Sequence, residues 1–259
     1  MRRRSLAAAR QEVEPVSTAT LGRFLPSWQH VGGTLRGIDG VATVVDQLAG
    51  VPIPASALES LILPSRVADY SPAMLDELTS TGEVLWSGSG AISGKDGWVV
   101  LHPADLAPIT LNSPADTDVS ELQKRILDLL SGGGAYFFRQ LVDALRTTES
   151  AADTVDSAVT TALWELVWLG HIGNDTVAPL RALLSDTTRT TTSHRSPRRV
   201  PRARPYRGMA RASTPARTGP ATASGRWFQL PGIEPDPTIR AHATLICCSN
   251  DTASSPAVR

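Results

Sequence analysis

Apolar positions along the chain fall into two blocks that follow one order. In the first, Val41, Val44, Val45 and Leu48 recur at helical spacing, and Gly50 closes the segment. Pro52 and Pro54 then break the chain, and Ser56 is placed to cap a second helix carrying Leu58, Leu61 and Leu63, which ends near Pro64. Ser71-Pro72 is a cap followed by proline at the first helical position, opening a third helix with Met74, Leu75 and Leu78. Beyond Gly82, the β-rich runs 83–88 and 98–102 flank a glycine-rich turn, which is the pattern of a hairpin.

The second block repeats this order. Asp118 and Glu121 have capping-box spacing ahead of Leu122, Ile126, Leu129 and Leu130, and Gly132–Gly134 ends that helix. Tyr136, Phe137, Leu141, Val142 and Leu145 make a second helix. Val159, Leu163, Leu166 and Val167 lie on a third, about 155–169, with Gly170 as its C-cap. Residues 171–177 then read as a short strand or wing.

Three helices followed by a β-hairpin is the layout of a winged helix, a helix-turn-helix variant. A generic helical domain with incidental hairpins is the alternative, and the order occurring twice favours the winged form. The expected fold class is therefore α+β, mainly helical, with tandem winged-helix modules and a disordered basic arm. Residues 1–36 read as a helical lead-in left from a preceding module, 37–112 and 113–186 as the two winged-helix modules, 187–224 as the linker, and 225–245 as the start of a further module.

Charge sharpens this division. The formal net charge is zero, yet acidic residues outnumber basic ones 22 to 13 from Arg2 to Asp186, while Thr187 to Arg226 holds ten arginines and no acid. The stretch 187–223 has almost no large apolar residue, so it cannot bury enough surface to offset its ordering entropy. Arg195, Arg198, Arg199, Arg202, Arg204, Arg207 and Arg211, interleaved with prolines and Tyr206, are the candidate nucleic-acid-binding residues. Phosphate contacts of this kind are non-specific and salt-dependent. A solvated linker is the competing reading, and the two are compatible.

The N-terminal Arg-rich start has too short an apolar stretch for a signal peptide, and no run reaches membrane-span length. A cytoplasmic protein without a membrane partner is expected. The two cysteines, Cys247 and Cys248, are adjacent, which suits neither a disulfide framework nor a metal site.

Catalytic chemistry finds little support. Ser87–Asp96 invites comparison with a phosphate-binding loop, but Ser89 stands at the required glycine and Asp96 where a hydroxyl should follow the lysine. A wing turn is the better reading. The five histidines lie on different elements, and His102 and His171 are expected to face solvent. No catalytic residue, metal ligand or cofactor-binding residue is assigned. Trp164 and Trp168 share a helix face, where core packing competes with base stacking; Trp86 and Trp98 read as a cross-strand pair bracing the wing. The third helices carry Asp76 and Glu77, and Asp156 and Glu165, which disfavours phosphate contact and leaves protein contact open.

At the level of longer matches, Leu25-Pro-Ser-Trp-Gln29, Asp69-Tyr-Ser-Pro-Ala-Met-Leu-Asp-Glu-Leu78, Asp96-Gly-Trp98, Phe137-Phe-Arg-Gln-Leu141, Leu163-Trp-Glu-Leu-Val-Trp168, Ala178-Pro-Leu-Arg-Ala-Leu183 and Gly225-Arg-Trp227 resemble the C-terminal region of bacterial large helicase-related proteins of the actinobacterial type. The resemblance extends to about His242. It implies tandem winged helices downstream of an ATP-dependent DEAD/DEAH-type helicase core, an association with DNA repair, and a C-terminal region similar to winged-helix DNA glycosylases of the crosslink-repair type. ATP and magnesium are implied for the parent family only, since none of its core motifs stands in this chain. Residues 246–259 look unlike the family, and a frameshift near Leu245 is the hypothesis for this tail.

The expected function is thus an auxiliary nucleic-acid-binding fragment of a large helicase-related protein, lacking the motor. DNA, single-stranded or non-specific, is the expected partner, with the helicase core or a second copy as further candidates. A protein-interaction or oligomerisation module and a glycosylase-like enzyme are the competing functions.

Overall fold

The protein is described here by a computed structural model covering residues 16–115, 117–148, 156–188 and 219–242. The chain enters through helix α1 (Thr18–Trp28), capped by Ser17, whose side chain accepts the Thr20 N–H. Helix α2 (Gly37–Gln47) buries Val41, Val44 and Val45, as the spacing predicts. Strand β1 (Ile53–Pro54) follows, then α3 (Ala55–Ala57), which runs on as a π-helical stretch, Leu58–Ile62. Ser56 therefore lies inside the second helix, and Pro54 holds the cap position. Helix α4 (Pro72–Thr81) starts at Ser71-Pro72 and stops at Gly82, whose φ of 81° is cheap only for glycine. Strands β2 (Val84–Ala91) and β3 (Gly97–Pro103) form the hairpin.

After the short helix α5 (Ala107–Thr110), the second block opens with α6 (Glu121–Leu130). Its capping box is formed by Ser120 and Gln123, three residues apart, not by Asp118 and Glu121. The hydroxyl and amide can satisfy each other's backbone N–H at that position, and the sequence offers both pairs at the same spacing. Strand β4 (Tyr136–Phe137), α7 (Phe138–Thr148), α8 (Asp156–Trp168) and β5 (Ile172–Asn174) follow. Helix α9 (Ala178–Thr188) comes next, and beyond the undescribed 189–218 a 3-10 turn (Ala221–Ala223) leads into β6 (Arg226–Gln229).

Among the described residues two three-stranded antiparallel sheets form, ordered β1-β3-β2 and β4-β6-β5. In each, the third strand of the block lies between the first and second. This is one topology used twice: helix, strand, two helices, strand, wing, strand. Strand β6 is consequently the middle strand of the second sheet, with Trp227 opposite both Tyr136 and Asn174. The expectation that a new module begins at 225 fails for this strand, because its partners are remote in sequence and local pattern cannot reveal pairing.

One apolar cluster runs through both modules, from Val41 and Leu75 to Leu163 and Trp227. Its seam is aromatic. Trp164 lies 6.5 Å from Trp86 of the first module, 5.5 Å from Trp168, and 5.9 Å edge-on from Trp227. Indole N–H groups are satisfied there by backbone: Trp86 donates to Thr176 O, Trp164 to Thr222 O and Trp227 to Ala223 O.

Candidate nucleic-acid interface

In a DNA-bound winged helix the third helix enters the major groove and the wing meets phosphates. Here both third helices are engaged inside the molecule. On α4, Asp76 accepts from Thr176 Oγ1 (2.8 Å), the Val177 N–H (3.1 Å) and Arg181 Nη1 (2.6 Å). Arg181 also pairs with Glu59 and donates to the Pro72 carbonyl, while the Tyr70 hydroxyl donates to Glu59. Burial alone would raise the Asp76 carboxyl, but hydrogen bonds from Arg181 and Thr176 outweigh it and hold the group below its ordinary range. Burial, together with the adjacent Glu59 carboxylate, pushes the Tyr70 phenol up. Nothing in the sequence singles out Arg181, since its partners lie 105 and 122 residues away.

Helix α8 is buried on most of its circumference, including Leu163, Trp164, Leu166 and Val167. What it exposes is the narrow stripe Ser157, Thr161 and Glu165. Its acids are also committed: Asp156 pairs with Arg139 (2.7 Å) and Arg146 (3.5 Å), and Glu165 accepts from Gln123 Nε2 (2.7 Å). The β2–β3 hairpin of the first module lies across this helix. A Cβ on Gly88 would collide with the Val167 carbonyl, and one on Gly97 would reach the Trp168 ring at 2.5 Å. Core packing therefore holds for Trp164, which is buried, and Trp168 is half-buried beneath the hairpin. Asp76 and Asp156 act as struts between elements, while Glu165 is exposed with its carboxylate bound by Gln123.

The hairpin corrects two further expectations. Trp86 sits opposite Leu101 and is buried, while Trp98 sits opposite Pro54 and is 38% exposed, so they do not form a cross-strand pair. Their positions fall on opposite faces because strand side chains alternate. His102 is fully buried, contrary to a solvent-facing role, between Ser87 Oγ at Nε2 and Thr110 Oγ1 at Nδ1, both at 2.9 Å. Thr110 spends its own proton on the Leu106 carbonyl. Nδ1 is then placed to donate to Thr110, and in the neutral ring that burial favours Nε2 accepts from Ser87. Burial lowers its pKa to about 4. His171 is half-buried, and burial lowers it as well.

The Ser87–Asp96 run is indeed a strand and wing turn. Asp96 accepts from the backbone and side chain of Ser56 and from the Gly97 N–H, tying the hairpin tip to α3. A cavity of about 570 Å³ opens beside it, lined by Ser56, Glu59, Ser93, Asp96, Arg181 and Leu184 among others. Both of its carboxylates are held by the partners already named. Among the described residues, no group of three or more His, Cys, Asp or Glu is arranged to hold a metal, and no helix is long and apolar enough to cross a membrane.

The seven arginines assigned to nucleic-acid contact, Arg195, Arg198, Arg199, Arg202, Arg204, Arg207 and Arg211, lie outside the described residues, as do Tyr206 and the tail 246–259. In sequence they fall after α9 and before β6.

The fold defines a winged-helix protein built from two fused modules. Residues 16–104 match the winged-helix domain of the large helicase-related proteins, so the chain carries that domain, and α1 falls within it although the sequence alone places 1–36 in a lead-in. The chain is 55% identical over 244 residues to the "Lhr helicase/ probable uracil glycosylase" of Mycolicibacterium smegmatis, a match covering 93% of this chain and 16% of that protein. It is 41% identical over 254 residues to the "Lhr helicase/uracil glycosylase" of Escherichia coli, covering 91% of this chain and 16% of that relative. The chain thus spans 16% of the length of the curated relatives it matches. The resemblance read from the sequence is confirmed.

Proposed function

We propose that this chain is an auxiliary, DNA-binding part of a large helicase-related protein associated with DNA repair, contacting single-stranded or non-specific DNA through the arginine-rich segment and contributing no ATP hydrolysis of its own. The observation that supports this reading is compositional. An acid-free run of ten arginines spans 187–226, while the third helix of the second module is largely buried and carries no Lys or Arg of its own, so phosphate contact is best supplied by the arginine run. Free acids on the third helices would favour a protein-interaction role, but Asp76, Asp156 and Glu165 have partners within the chain, which leaves Glu77 as the exposed acid of these helices with no side-chain partner among the described residues. A glycosylase reading would need a carboxylate poised in a cavity; in the cavity beside the hairpin tip Glu59 and Asp96 are occupied by Arg181, Tyr70 and Ser56.

Replacing the seven arginines with alanine should weaken binding to single-stranded DNA and flatten the dependence of log K on log salt, roughly by 0.7 for each phosphate no longer neutralised. Fluorescence anisotropy at several salt concentrations measures both. An unchanged affinity and slope would reduce the segment to a tether.

A further inference from the structure

We propose that the outer face of α1 is a second binding surface for single-stranded nucleic acid, a stacking platform formed by Phe24 and Trp28. Helix α1 has no buried residue, although Leu21, Phe24, Leu25 and Trp28 recur at the i, i+3, i+4, i+7 spacing of an apolar face. Phe24 is 50% exposed and stacks on Trp28, with centroids 5.4 Å apart and planes 29° from parallel. The two rings cover each other's inner faces; Phe24 is exposed and Trp28 half-buried, so the accessible ring surface is mainly that of Phe24. Every base has a π-face, so such a surface accepts bases without regard to sequence.

Charge selects this occupant. Elsewhere the folded body is acidic, yet residues 16–36 contain Arg23, Arg36 and His30 and no Asp or Glu. Arg23 and Arg36 are exposed and make no ion pair among the described residues. Exposed aromatic surface on a segment whose charged side chains are all cationic matches a strand that presents bases and phosphates together. The α1 backbone is fixed from its far end: Gln47 Nε2 donates to the Trp28 carbonyl, and Arg66 Nη2 donates to Gln29. The rings are therefore mounted on the first module and do not depend on the arginine-rich segment.

The platform rests on single-stranded nucleic acid being the partner, and the experiment separates the two ideas. The full chain and its Phe24→Ala variant are titrated against a labelled oligothymidylate and an abasic oligonucleotide of equal length and phosphate count. Phe24→Ala should weaken binding to the oligothymidylate by about 5- to 100-fold, leave the abasic strand and the salt slope unchanged, and be rescued by Phe24→Trp. Equal loss on both strands, or no loss on either, overturns the platform. A change of oligomeric state in Phe24→Ala with undiminished binding also overturns it, because the face is then a protein interface. If the unmodified chain binds neither strand, the proposed function and the platform fall together.

Discussion

Arg181 at the start of α9 forms an ion pair with Asp76 on α4, Nη1 to Oδ2 at 2.6 Å, and so locks the second module onto the third helix of the first. Glu59 closes the other side of the guanidinium. The three side chains are each about one-sixth to one-third exposed, which places the cluster between a surface pair and a buried one.

Arg181→Ala should therefore cost roughly 1–3 kcal/mol, less than breaking a fully buried pair, and more than a surface pair because Glu59 and Asp76 are left facing each other. The midpoint of urea unfolding reads this. The Asp76 carboxyl is depressed in the folded state, so its contribution is present above the unfolded value near 3.8 and is lost as pH falls through the lower folded value. Arg181→Ala should remove that acid-side loss, and a variant unfolding like the unmodified chain at both pH 7 and pH 3 would contradict it.

Gly88 and Gly97 make a paired comparison. Alanine at 97 meets the Trp168 ring, a side chain able to shift, whereas alanine at 88 meets the Val167 backbone within α8. Both substitutions overpack the seam, with costs of about 1–3 kcal/mol or more, and Gly88→Ala should be the worse. Near-ultraviolet circular dichroism, reporting the tryptophan seam, should change in both. Equal tolerance of the two would mean that the hairpin does not lie on α8 as described.

His102 sets a separate pH dependence. Its folded pKa, about 4, lies below the ordinary 6.5, so the folded state excludes the proton. Its contribution is intact above pH 6.5 and drains as pH falls towards 4, by roughly 3 kcal/mol in all. His102→Gln should be less stable at neutral pH yet change little between pH 7 and pH 4.5. A variant with the same acid sensitivity as the unmodified chain would place the titration elsewhere.

Much of the fold is legible in the sequence because its signals are local. The Ser71-Pro72 start and Gly82 stop of α4, the apolar period of α2 and the Gly170 end of α8 depend on residues within a turn or two of one another. Repetition of that order is enough to recognise tandem winged helices and, through longer matches, the helicase-related family. The candidate site is less legible. His102 lies in a run that reads as a simple strand end, and only the approach of Ser87 and Thr110 makes it a buried, neutral ring.

Sequence by itself determined the main helices and the first hairpin, the split between an acidic body and an acid-free arginine run, and the family resemblance, but it placed Tyr136 and Phe137 in a helix where strand β4 forms and missed β1. Tertiary structure alone decided that β6 completes the second sheet and that Arg181 neutralises acids on the first module. The physical reason is separation along the chain. Periodicity and capping act over a few residues, whereas strand pairing and ion pairing join groups brought together only when the two modules close on one core.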